Sequence, residues 1–156
     1  MASIILLLVA AGANGGLAGA SLDQSIKQLP ARHRIGIQAY SRYSQAADLA
    51  NGVVWYATLG VGTAVLTLVA SIFTILQPVP PLSVIAAWVA MGATIVHSGA
   101  TALAAPTNFR QRALHRDDRA LVELFDRFER WQTVRVIGQV VALIAVLTAC
   151  FGTVRP

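Results

Sequence analysis

Four long runs without Asp, Glu, Lys or Arg constrain this chain more than anything else in it: residues 2–20, 52–76, 82–105 and 136–151. About 20 apolar residues in a helix rising 1.5 Å per residue match the ~30 Å hydrocarbon core of a bilayer. Inside lipid, every backbone N–H and C=O must be satisfied within its own segment, which a helix achieves and an open strand does not. The expected fold is therefore all-α: an integral membrane, antiparallel four-helix bundle in a single domain, with spans at about 2–20, 52–76, 82–105 and 131–151. Only 12% of the 156 residues are charged, about half the share in a soluble domain.

The connections set the expected orientation. Residues 21–51 carry Lys27, Arg32, Arg34 and Arg42, and residues 107–135 carry seven arginines. The turn Gln77-Pro78-Val79-Pro80-Pro81 carries no charge, and only Arg155 follows the last span. Basic residues next to spans stay cytoplasmic, so both charged connections belong inside the cell and both termini outside the cytoplasmic membrane. With the charge explained in this way, and with no basic groove of interleaved aromatics, nucleic acid is not an expected partner; the lipid bilayer is.

Local patterns fill in the elements. Gly12, Gly15, Gly16 and Gly19 form a small-residue stripe on span one, suited to close packing inside the bundle or to pairing with a second copy. Pro30 reads as the first residue of a short helix. Tyr40, Tyr43 and Ala47 share one face that Trp55 continues, as headgroup-layer aromatics do. Thr63, Thr67, Ser71 and Thr74 make a polar stripe whose hydroxyls can bond back to their own helix. Pro106 should end span three. Asp117 or Asp118 is a good N-cap for one long helix from about Arg119 to Phe151, its first turns extending into the cytoplasm. Leu121, Leu124, Phe125, Phe128 and Trp131 fall on one of its faces, and Glu123–Arg127 and Asp126–Arg130 stand at i, i+4 spacing.

Polar groups in or beside a lipid-spanning helix are costly and mark either a helix–helix contact or a working site. The substrate-binding candidates are Asn14, Asp48, Asn51, His97, Asn108, Trp131 and Arg135. Several of these lie near the cytoplasmic helix ends, where facing helices of a bundle can share a cavity. The competing structural roles are a hydrogen bond between helices for Asn14 and His97, and an Arg135–Asp48 or Arg135–Asp23 ion pair. A single intramembrane histidine does not provide bis-histidine haem ligation, and no cluster of His, Cys or carboxylates has metal-site spacing. Neither a cofactor nor a metal is expected. Cys150, alone in an apolar run, forms no disulfide within one chain. Phosphate loops, nucleophile elbows and paired carboxylates are missing as well.

At Pro106-Thr107-Asn108, followed by a charged helix and then Arg130-Trp131-Gln132-Thr133-Val134-Arg135, the chain resembles a family of small four-span membrane proteins of unknown function that includes the anthrone oxygenases. Where many of those relatives carry an Asn or His between the Trp and the Arg, Gln132 and Thr133 stand here. The resemblance implies a compact bundle in the cytoplasmic membrane. It also implies that Asn108, Trp131 and Arg135 shape a polar pocket for an aromatic substrate, oxidised to a quinone in some members without an evident metal or flavin. The expected function is binding or oxidation of a small lipophilic aromatic or quinone-like molecule. The alternative is a non-catalytic membrane scaffold or subunit that docks a partner through the stripe Leu121, Phe125 and Phe128.

Overall fold

The structure, a computed structural model, describes residues 2–114 and 117–154; Arg116 and Arg155, both counted in the charge asymmetry, lie outside them. Every regular element is helical: α1 (Ala2–Asp23), a π-helical segment (Gln24–Gln28), α2 (Leu29–Ile35), α3 (Ile37–Ala47), α4 (Asn51–Ile75), α5 (Pro81–Arg110) and α6 (Asp118–Val154). Among the described residues, four stretches are long and apolar enough to cross a membrane: Ser3–Ile35, Asn51–Ile75, Pro81–Arg110 and Asp118–Thr153.

Helix ends follow backbone chemistry, and several depart from what the sequence predicts. Span one does not give way to a polar connection near residue 21; the helix continues through the π segment into α2. Pro30 has no N–H to donate, and the chain meets it with a widened turn in which the Leu29 N–H bonds the Gln24 carbonyl. The rod ends at Gly36, whose φ of 84° lies in the left-handed region that glycine reaches without strain. Pro106 does not end span three: α5 runs through it to Arg110. Asp117 caps α6, its Oδ1 accepting the Ala120 N–H at 3.0 Å.

The four long helices pack as a ring. α6 lies along α5 and α1, and α4 lies against the other sides of α1 and α5, barely touching α6 across the middle. The ring is polar and small inside and apolar outside. Thr63, Thr67, Ser71 and Thr74 are buried, and the Thr67 and Thr74 hydroxyls each donate to the carbonyl one turn back at 2.8 Å. Ile5, Val61, Ile85, Trp88, Ile95 and Ile144 all point outward with more than half their surface exposed. A water-soluble bundle distributes its residues the other way round, so this exterior marks a membrane protein.

Close helix approach does not occur at the span-one glycines. Gly12, Gly16 and Gly19 face outward, and a Cβ on any of the four stripe glycines would meet nothing within 4 Å. The crossing that needs glycine is between α5 and α6. A Cβ at Gly138 would stand 3.2 Å from the Ala93 carbonyl oxygen and 3.2 Å from the His97 backbone nitrogen.

The charged connections build a second, smaller core. Leu29, Tyr40, Leu121, Phe125 and Phe128 cluster with Ala104, the Tyr40 ring meeting Phe125 edge-on at 4.9 Å. Tyr40 is thus buried rather than set in a headgroup layer, and the break at 48–50 separates α3 from Trp55. Beneath this core, buried Arg32 donates to Asp126 at 3.1 Å and Glu129 at 2.7 Å, tying α2 to α6. Asp126 therefore answers α2 and not Arg130. Among the described residues, the i, i+4 ion pair on α6 is Arg119–Glu123 at 3.3 Å. The stripe Leu121, Phe125 and Phe128, offered above as a docking face, is covered by the chain's own α2 and α3.

Candidate functional site

Where α4 stands away from α6, the facing surfaces carry Ala57, Gly60, Ala64, Ala102 and Ala105. Side chains this small leave a cavity of about 540 Å³ unfilled. Its walls are largely apolar and come from all four long helices. At the charged end it reaches Gln24, Asp48, His97, Asn108 and Arg135. The same cavity is lined by Val61, Val65, Ser98, Ala102 and Phe109, which are exposed on the outer surface. It is therefore a crevice, open sideways between α4 and α5, with its ionisable groups at the inner end.

Arg135 is the chemical centre of that end. The inward face of α6 repeats every three to four residues, through Phe128, Gln132, Arg135, Gln139 and Ala142, so Arg135 is directed into the bundle at 9% exposure. One Nη donates to Gln132 Oε1 at 2.7 Å, while Nε is buried without any hydrogen-bond partner. Neither expected ion pair forms. Asp23 is engaged by Lys27 and Gln28, and no carboxylate of the described residues lies within 4.0 Å of Arg135. A buried N–H on a cation without an acceptor is costly, and the Arg135 side chain also lines the inner end of the crevice.

His97 crosses from α5 to α6, as the hydrogen-bonding role requires. Its Nδ1 is 3.0 Å from the Arg135 carbonyl oxygen; a carbonyl only accepts, so Nδ1 carries the proton in the neutral ring. That leaves the Nε2 lone pair, free of protein partners, as the basic atom available to the cavity. The carbonyl bond couples the positions of the two side chains, because it joins the histidine ring to the backbone of the arginine itself.

The remaining polar groups of this end are joined in a chain. Gln111, fully buried, donates to Asn108 Oδ1 at 2.7 Å and to Ser44 Oγ at 3.2 Å. Ser44 Oγ donates to Asp48 Oδ2 at 2.7 Å. The chain fixes Asn108 by its oxygen, and Asn108 lines the crevice. Burial raises the Asp48 carboxyl above the ordinary aspartate value, opposed by the Ser44 hydrogen bond and the Arg135 charge.

Four of the seven candidates, Asp48, His97, Asn108 and Arg135, meet in this crevice. The other three do not. Asn14 lies deeper, donating to Thr67 Oγ1 at 2.7 Å and accepting from Gln139 Nε2 at 2.7 Å, and holds α1 to α4 and α6. Trp131 packs on the second core and lines a different groove. Asn51 is exposed at the start of α4. Gln24, Gln111 and Gln132 were not anticipated. Gln24 opens the π segment, a feature often found at functional sites, and Gln132 donates to the Ser21 carbonyl at 3.1 Å while accepting from Arg135. Among the described residues, no three of His, Cys, Asp and Glu are grouped so as to hold a metal. No family model, no curated protein and no solved structure matches this chain.

Proposed function

We propose that this protein spans the cytoplasmic membrane four times as an antiparallel bundle, with both charged connections and the outer turns of α6 on the cytoplasmic side. In this reading the crevice binds a flat, lipophilic aromatic or quinone-like molecule that carries a carbonyl or phenolic oxygen. The carrying observation is the Arg135 guanidinium, with no carboxylate of the described residues within 4.0 Å, at the inner end of an otherwise apolar crevice. Such a pocket matches the usual pattern of small-molecule sites, mostly apolar with a few convergent polar groups. The sideways opening lets a lipid-soluble molecule arrive from the bilayer without crossing water.

The resemblance to anthrone oxygenases adds a reaction to that reading. Taking a proton from an anthrone leaves an oxyanion on its carbonyl oxygen. Arg135 would hold that oxygen, and Nε2 of His97 would accept the proton. The scaffold alternative rested on an exposed apolar stripe, and that stripe is buried.

The test is titration of the detergent-purified protein with a naphthoquinone and a hydroxyanthraquinone. Saturable binding is expected, weakened on the order of 10- to 100-fold by Arg135→Gln, the range for losing a hydrogen bond to a charged group. Lys27→Gln, at the surface, should leave it unchanged. Absence of saturable binding, or equal affinity in Arg135→Gln, overturns the proposal.

A further inference from the structure

A second groove lies on the far side of the α5–α6 pair, apart from the crevice and with no part in the reading above. It encloses about 820 Å³ between the last turn of α5, the turn at Leu114 and the first half of α6. Arg110, Arg127 and Arg130 line it, all three exposed. Among the described residues, Glu123 is the only carboxylate lining it, and Arg119 engages that residue at 3.3 Å. None of the three groove arginines is in a described ion pair or hydrogen bond with a protein group. Three guanidinium groups thus face one groove without a compensating carboxylate among the described residues.

The floor of the groove is apolar. Leu124, Trp131 and Val134 carry it toward the long apolar part of α6. The groove therefore runs from a cluster of unpaired cations to surface of the kind that faces acyl chains, at the level where the apolar run of α6 begins. Soluble phosphate uses only the first part of such a groove. A phospholipid uses both, its phosphate on the arginines and its glycerol and first methylenes on Leu124, Trp131 and Val134.

We infer that this groove is a binding site for the headgroup of an anionic phospholipid. The inference rests on the membrane reading of the bundle but not on any ligand in the crevice. Arginine suits the role, since its fork pairs with two phosphate oxygens at once.

Native mass spectrometry of the delipidated full chain in detergent tests it, with phosphatidylglycerol and phosphatidylcholine of identical acyl chains as probes. Phosphatidylglycerol should bind more tightly. The triple variant Arg110→Gln/Arg127→Gln/Arg130→Gln should lose affinity about fivefold per arginine, equivalent to ~1 kcal/mol per charge. Lys27→Gln/Arg34→Gln/Arg42→Gln removes the same charge from the other connection and should change nothing. Arg135→Gln should also leave lipid binding intact; a loss there assigns the lipid to the crevice and overturns the groove. Equal affinity for the two lipids, an equal fall in both triple variants, or displacement of phosphatidylglycerol by inorganic phosphate each overturns the inference.

Discussion

A guanidinium facing an apolar wall stays there only if the fold gains something from it or something binds to it. Here the fold uses one Nη, through Gln132, and leaves Nε without an acceptor. Asp48, the nearest candidate to balance the charge, is held by Ser44 instead. Its carboxyl is raised by burial above the value of about 3.8 that it has when unfolded. A carboxyl raised in this way adds stability below its unfolded pKa, and that stability is lost as pH rises through the folded value. Asp48→Asn should therefore remove a rise in melting temperature that develops as the pH is lowered toward about 4, as read by thermal unfolding in detergent. An identical pH profile in the variant would contradict the burial assigned to Asp48. His97, Asn108 and Arg135 were legible in the sequence because a polar residue in or beside an apolar run has few reasons to be there. Gln24, Gln111 and Gln132 were not. Their partners come from other helices, as with Gln111 and Ser44 or Gln132 and Ser21, and no local pattern links such positions. Trp131 stands one turn before Arg135, about 40° round the helix from it, and this offset turns it to the second core and the other groove.

At the level of helices, the sequence showed where apolar runs lie and where α4, α5 and α6 begin, but not where α5 stops or where helices touch. Pro106 reads as a stop and is instead carried inside α5, where its missing N–H leaves the Ala102 carbonyl without its helical partner. Glycine spacing pointed to α1, yet the close crossing belongs to Gly138, which no neighbouring glycine flags. Gly138→Ala should destabilise the fold by about 1–3 kcal/mol, since the added carbon meets backbone that only a helix shift can relieve. Gly12→Ala, with open space around it, should leave the melting temperature unchanged or slightly higher. Equal effects of the two would contradict the α5–α6 contact. α2 is held to α6 by Arg32, whose acceptors Asp126 and Glu129 are about half exposed. Arg32→Gln should cost about 1–2 kcal/mol, at the low end for hydrogen bonds to charged groups because water screens both carboxylates. Limited proteolysis should then cut sooner near Gly36; an unaltered cleavage rate would show that α2 is held by its apolar contacts alone.

Across the whole molecule, polarity and position are arranged along one axis. The 76–80 turn is uncharged, whereas at the opposite end α2, α3 and the first half of α6 build a charged cap around Leu29, Tyr40 and Phe125. The crevice has its ionisable end toward that cap and its apolar side toward the outer face of α4 and α5. Four helices long and apolar enough to cross a membrane were legible from the length of the apolar runs alone. The cap was not, because its packing joins α2 and α3 to a stretch of α6 some 90 residues away in sequence, as the Arg32–Asp126 bond shows with a separation of 94. The ligand proposed for the crevice and the lipid proposed for the groove both require the charged cap to lie wholly on one side of the membrane. Single cysteines introduced as Ala46→Cys, Val122→Cys and Pro78→Cys in a Cys150→Ala background test this directly with a membrane-impermeant maleimide. The account predicts that Pro78→Cys reacts in intact cells, and that Ala46→Cys and Val122→Cys react only after the membrane is opened. Labelling of Ala46→Cys or Val122→Cys from the same side as Pro78→Cys would contradict it.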